Sequence, residues 1–235
     1  MHVVTCSQLC SEHVRRVEQE RMKIKNMENL KEIKSLLGRT PFIPQRYSKN
    51  TYIQTIRGII SRNKNKRKTE RKFFKLSDGS QIAGDCLWQK KKNKAKTLIA
   101  IHGLTGSSKS PYIVRICNTA FRRGYNTISL NLRNCGNTEK LTKKLYNAGQ
   151  SQDLKEVISQ LIKEKINSIF IIGSSLSGNL CLKWAGEEKN KFPKQVKALA
   201  VISPVVDLKE TAKESDSQKN RLYRYFILKS LKSLI

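Results

Sequence analysis

Acidic residues are scarce in this chain. Eighteen Asp and Glu stand against 47 Lys and Arg, which leaves a formal charge of +29 over 235 residues. There are only three histidines, His2, His13 and His102. The six cysteines, Cys6, Cys10, Cys86, Cys117, Cys135 and Cys181, include no CxxC pair. That spread fits neither a zinc site nor a small disulfide scaffold, so reduced, mostly buried thiols are expected and no metal or cofactor is. No run approaches the roughly 18 apolar residues of a membrane span. The first residues, "MHVVTCSQLCSEHVRRVEQER", lack the basic start and apolar core of a secretory signal. A cytoplasmic location is therefore expected, with any membrane association peripheral. Hydrophobic residues at 38% and aromatics at 7% are lean, yet enough for the core of one sizeable domain.

A charge this large can mark a partner such as nucleic acid or an anionic membrane. The excess is mostly lysine, accompanied by many Asn and Ile, as codon bias would give. The basic runs "RNKNKRKTERKFFK" (62–75) and "KKKNKAK" (90–96) carry only Phe73 and Phe74 as aromatics. They flank short strand patterns and read as solvated loop faces. Nucleic acid is not an expected partner, and an anionic membrane surface is at most a weak one.

Residues 7–37 have apolar positions near helical spacing, closed by Gly38. This predicts a charged helical extension over 1–38. "TPFIPQRYSKN" reads as an extended arm, and "TYIQTIRGII" as a short helix. From Arg71 the pattern changes. Asp78-Gly79 sits between alternating runs, a hairpin signal. "TLIAIHG", "YNTISLNL", "NSIFIIG" and "VKALAVISPV" are apolar runs of the kind expected for strands buried on both faces. Helices fall between them: "SPYIVRICNTAFRRG", with Ser110 as N-cap, Pro111 in the first turn and Gly124 as C-cap; "SQDLKEVISQLIKEK", which Ser151 could cap; and "GNLCLKWAGEE". Alternation with short connections predicts an α/β class fold, a mostly parallel sheet with helices on both faces. The core is placed at 39–206. After Val206 the alternation stops, and 207–235 is polar and then helical.

The stretch "IIGSSLSGN" puts Ser175 between a buried strand and a helix. Gly173-Ser174-Ser175-Leu176-Ser177 is a G-x-S-x-G arrangement with Ser177 in the place of the last glycine and Gly178 behind it. A sharp strand-to-helix turn pushes such a serine out of the sheet, and the positions two before and two after must be small. The helix start behind it favours developing negative charge. A plain N-cap serine fits the same residues, and on this stretch alone both readings stand. His102-Gly103-Leu104, at the end of an earlier central strand, lies where a second oxyanion donor is found in such a sheet. The two donors expected are the backbone N–H groups of Leu104 and Leu176. His102 reads as a buried structural histidine rather than a base.

"TPFIPQRYSKNTYIQTI", "IHGLTGSSKSPYI", "LNLRNCGNTEKLTKKLYNAGQSQDL", "GSSLSGNLCLKW" and "ISPVVDL" together resemble the YheT-like α/β-hydrolases, which are similar to mammalian membrane-associated α/β-hydrolase-domain lipases. The resemblance runs from about Pro41 to the end. It implies an α/β-hydrolase fold and a serine esterase or lipase acting on carboxylic esters or lipids. Ser175 is then the nucleophile of a Ser-Asp-His triad, and 221–235 belongs to a helical lid after the sixth strand. There are departures. Ser177 stands for the usual glycine, and Asn134 follows Arg133 where R-G is usual, although Asn tolerates left-handed backbone. In this family the acid and base come from beyond the lid, inside which this chain ends. No histidine follows Ser175, and a serine hydroxyl needs a base. Asp207 could serve as acid in some relatives of the fold but reads as a helix start; Asp153 reads as first-turn helix chemistry. The expectation is an α/β-hydrolase core, incomplete at the C-terminus, that holds nucleophile and oxyanion donors and lacks the base. A catalytically incomplete protein, or a basic anion-binding module on the same scaffold, is the alternative.

Overall fold

Asp78 and Gly79 form the tight turn that the sequence pattern predicts. Gly79 takes φ +80°, which glycine adopts without steric cost. Leu76 N–H donates to Ser80 O at 2.8 Å, and the Asp78 carboxylate accepts from Ser80 N–H at 3.0 Å. The turn joins β1 (Glu70–Lys75) to β2 (Gln81–Leu87) in antiparallel register. The computed structural model describes residues 67–232, together with Ile43, Pro44, Asn50 and Ile53. The helix expected at 7–37, the arm and the short helix after it, His2, His13, Cys6 and Cys10 lie outside the described residues.

Four further strands follow: β3 (Thr97–Ile101), β4 (Asn126–Leu130), β5 (Ile169–Ser174) and β6 (Val196–Ile202). The sheet order is β1-β2-β4-β3-β5-β6. β2 meets β4 antiparallel, and β4, β3, β5 and β6 are mutually parallel. Every residue of β3 and β4 is buried. A strand covered on both faces has no reason to alternate polar and apolar residues, which is why these segments read as continuous runs.

Right-handed crossovers set the faces. From β3 to β4 the chain steps one way through α1 (Pro111–Arg122). From β4 to β5 and β5 to β6 it steps the other way, through α2 (Ser151–Lys163) and α3 (Leu176–Glu188). The helices therefore fall on opposite faces. On one face Ile99, Ile101, Ile128, Leu130, Ile169 and Ile171 pack with Leu154, Val157, Ile158 and Leu161 of α2 and Cys181 and Trp184 of α3. On the other, Ile113, Ile116 and Cys117 of α1 cover Ala100. α1 reaches no further, and Leu98, Phe170, Ile172, Ala198 and Ala200 line an open apolar groove of about 540 Å³.

Pro111 starts α1 and Gly124 (φ +84°) ends it, its N–H on Phe121 O at 3.0 Å. Ser110 occupies the N-cap position, as expected, but its side chain makes no capping bond: its hydroxyl accepts from Ser107 N–H at 3.0 Å and closes the preceding loop instead. Ser151 does not cap α2 either. The Gln150 side chain closes that turn by accepting from Asn147 N–H at 2.9 Å. Ser151 thereby becomes the first helical residue, buried, with its hydroxyl donating to Glu187 of α3. After β6, Asp207 caps α4 (Leu208–Asp216), its carboxylate accepting from Glu210 N–H at 2.9 Å. α5 (Arg221–Lys232) packs on α4.

Cys86, Cys117, Cys135 and Cys181 are buried thiols outside any disulfide, as the sequence suggests. Lys90, Lys91, Lys94 and Lys96 are exposed, while Lys92 lies 4.0 Å over the Trp88 ring and pairs with Glu164 at 3.5 Å. Among the described residues there is no metal-ligand cluster, and no helix is long and apolar enough to cross a membrane.

Candidate functional site

The turn from β5 into α3 is built on small residues. A Cβ on Gly173 would sit 2.5 Å from Ser177 O and 2.7 Å from Cys181 Sγ, so nothing larger fits. A Cβ on Gly178 would press on Pro204 Cβ at 3.0 Å. Ser175, at the apex, has φ +52° and ψ −118°, a conformation that costs an L-residue about 1–3 kcal/mol. Ser175 N–H donating to Ile202 O at 2.9 Å, and Asn179 N–H donating to Ser175 O at 3.2 Å, hold it there. Ser175 occupies the N-cap position of α3, yet its side chain makes no capping bond. Its half-buried hydroxyl is not spent on the helix. Ser177, where a glycine was expected, is buried, and its hydroxyl donates to the backbone oxygen of His102. The substitution stitches α3 to the end of β3.

The loop after β3 lies against this turn. A Cβ on Gly103 would sit 3.0 Å from Ser175 Cβ and 3.6 Å from Ser175 Oγ. Gly103 N–H donates to the Tyr112 hydroxyl at 2.8 Å, and Thr105 N–H to the Tyr146 hydroxyl at 2.9 Å. The N–H of Leu104, between them, makes no hydrogen bond to any described residue. Leu176 opens α3, and first-turn N–H groups have no intrahelical acceptor. Leu104 is 38% exposed, and its chain neighbour Gly103 is the residue that packs against Ser175.

His102 is fully buried. Leu132 N–H donates to its Nε2 at 3.2 Å, which fixes the proton on Nδ1 and lets that nitrogen donate to Gly103 O at 2.7 Å. Burial pulls its pKa down to about 4. It is a neutral imidazole with both nitrogens occupied, the structural residue the sequence suggests, and it has no lone pair to offer Ser175. It is the only histidine among the described residues.

The candidate acids are likewise occupied. Asp207 caps α4, as described above. Asp153 does sit in the first turn of α2, but its main partner is Arg133, whose Nε and Nη2 donate to it at 2.7 and 2.8 Å. The same buried guanidinium reaches Asp78 at 2.5 Å and Ser80 Oγ at 3.2 Å. Arg133 thus ties the hairpin, the loop after β4 and α2 together, and holds the Asp78 carboxyl well below the usual range. Asn134 takes φ +58°, the left-handed backbone its position calls for. Sequence reasoning missed Tyr112 and Tyr146. Both lie within the quoted motifs, but no spacing rule points a phenol at a loop amide.

A sequence model described as the alpha/beta hydrolase fold matches residues 96–231. The putative esterase YheT of Escherichia coli is 26% identical over 196 residues, covering 82% of this chain and 56% of that protein. The abhydrolase domain-containing protein 2 of Drosophila melanogaster is 27% identical, covering 84% of this chain and 52% of its own length. Mouse phospholipase ABHD3 is 28% identical over 130 residues, 52% of this chain and 31% of that protein. The chain thus spans about half the length of the first two. Among solved structures, the Pyrococcus furiosus esterase Pf2001 superposes with a TM-score of 0.54 at 20% identity, over 71% of this chain and 63% of the other. At that identity the likeness speaks to the fold alone.

Proposed function

Because the chain belongs to the alpha/beta hydrolase fold family, we propose that it carries the nucleophilic half of a serine hydrolase acting on carboxylic esters or lipids. The observation that supports this reading best is the strained Ser175. Its hydroxyl is left out of the helix cap, Gly103 packs against it, and the N–H groups of the adjoining residues Leu104 and Leu176 have no hydrogen-bond partner among the described residues. Strain of this kind persists where the surroundings enforce it, and it gathers at reactive positions. Relatives named as a putative esterase and a phospholipase support an ester of a small molecule or lipid as the substrate class.

In the proposed reaction Ser175 Oγ attacks the ester carbonyl carbon and gives up its proton to a base. The carbonyl oxygen becomes an oxyanion, held by Leu104 N–H and Leu176 N–H and favoured by the start of α3. Collapse expels the alcohol, which takes the proton from the base, and leaves an acyl group on Ser175. Water then attacks the acyl carbon and releases the acid. Gly173, Gly178 and Ser177 shape the turn, and Gly103 lets the donor loop approach. No imidazole among the described residues is placed to be the base, and no histidine follows Ser175. The chain alone is therefore expected to show only the residual rate of a triad enzyme that lacks a member, roughly 10³–10⁴ over water. A non-catalytic ester-binding protein on the same scaffold is the second reading, and the occupied ring of His102 favours it.

Fluorophosphonate labelling of the intact chain separates the two. With imidazole added as external base, the nucleophile reading expects one adduct, on Ser175, formed faster as imidazole rises and absent from Ser175→Ala. No adduct at Ser175 under those conditions leaves the binding reading.

A further inference from the structure

We propose that Tyr112 and Tyr146 are positioning residues that select Leu104 N–H as the loop's single oxyanion donor. The inference rests on the proposed function. An oxyanion site works because its donors are aimed before charge develops. Yet the segment 103–106 lies outside helix and strand, and apart from Gly106 N–H none of its amides is held by a backbone bond to a described residue.

Side chains hold two of the others instead. Gly103 N–H and Thr105 N–H, the amides on either side of Leu104, each donate to a phenol oxygen, at 2.8 and 2.9 Å. The phenols come from separate elements. Tyr112 is the second residue of α1, and Tyr146 lies in the loop before α2. Thr105 sits at φ +59°. Gly106 is hemmed in, since a Cβ there would meet His102 and Ser110 at 3.0 Å, and its N–H returns to Gly103 O at 3.1 Å. Three of four successive amides are thereby committed, and the fourth, that of Leu104, next to the Gly103 that packs on Ser175, has no hydrogen-bond partner among the described residues.

The phenols suit the task chemically. A neutral phenol oxygen accepts a hydrogen bond without placing a charge beside a developing oxyanion. Burial raises the Tyr146 pKa and keeps it in that form. Without the two bonds, Gly103 and Thr105 N–H would be free to turn toward the anion, and the loop would have to settle during the reaction.

Tyr112→Phe and Tyr146→Phe remove the acceptors and keep the rings. Amide hydrogen exchange, read by NMR, tests the bonds without any activity. Tyr112→Phe should speed exchange at Gly103 only, and Tyr146→Phe at Thr105 only. A net hydrogen bond is a factor of about five, so the imidazole-assisted labelling of Ser175 should slow about fivefold in each variant and further in the pair. The preference for a P=O fluorophosphonate over its P=S analogue should shrink with it, while the melting temperature stays close to that of the parent. A purely structural role would leave that preference unchanged. Unaltered exchange at Gly103 and Thr105, or labelling and P=O preference indifferent to both changes, overturns this inference alone. A parent chain that is never labelled at Ser175 overturns the proposed function and this role with it.

Discussion

At the scale of single residues, burial decides what His102 can do. Its pKa is about 4 in the folded chain against about 6.5 when unfolded. Between those values the unfolded chain binds a proton that the folded chain refuses. The stability that His102 contributes is complete above about pH 6.5 and is lost as the pH falls toward about 4, at up to about 1.4 kcal/mol per unit. Urea midpoints at about pH 5 and pH 7 should differ more for the parent chain than for His102→Asn. An equal difference in both would place that pH dependence on other groups. The sequence revealed the buried, structural character of His102, because it ends an apolar run. Its acceptor role toward Leu132 was not legible, since that residue lies 30 positions away and arrives only through the pairing of β3 with β4. Ser175 was legible for the opposite reason: its signal is local, small residues around a strand-to-helix turn. The Arg133–Asp153 pair, 20 residues apart, was not, and Asp153 alone looked like ordinary first-turn helix chemistry.

At the scale of elements, β5 carries two neighbouring isoleucines with different surroundings. Ile171 is 1% exposed in the core beneath α2 and α3, whereas Ile172 faces the open groove beside α1. Ile171→Ala should cost about 2–5 kcal/mol, the usual range for a large-to-small change in a packed core. Ile172→Ala should cost well under half as much, because that side chain is already in partial contact with water. Chemical denaturation of the two variants measures the difference, and equal losses would mean that the groove is covered. The run "NSIFIIG" located the strand but could not assign its faces, since both sides of a central parallel strand are apolar. The helix-start serines misled in a similar way. Ser110 and Ser151 have the right chemistry for caps, and nearby polar groups, the Ser107 amide and the Glu187 carboxylate, engage their hydroxyls instead. Asp207, with no such competitor, caps as its position suggests.

At the scale of the molecule, the order β1-β2-β4-β3-β5-β6 brings the ends of β3 and β5 side by side. That adjacency sets Gly103 against Ser175. Alternating apolar runs and helices foretold the sheet, and right-handed crossovers then leave little choice of face. The charge of +29 carried no fold information, and Lys72 and Lys92 converge on Glu164 as surface ion pairs rather than as part of the site. The central proposal is that Ser175 is a nucleophile with the Leu104 and Leu176 amides as oxyanion donors, and that no histidine among the described residues is free to serve as its base. Its most direct test is the hydrolysis of a p-nitrophenyl ester by the intact chain and by Ser175→Ala as imidazole is titrated in. The account predicts a small excess rate for the parent over Ser175→Ala, growing as imidazole rises. Identical rates at every imidazole concentration would contradict the nucleophile, and a large excess that ignores imidazole would mean that a residue of this chain already serves as the base.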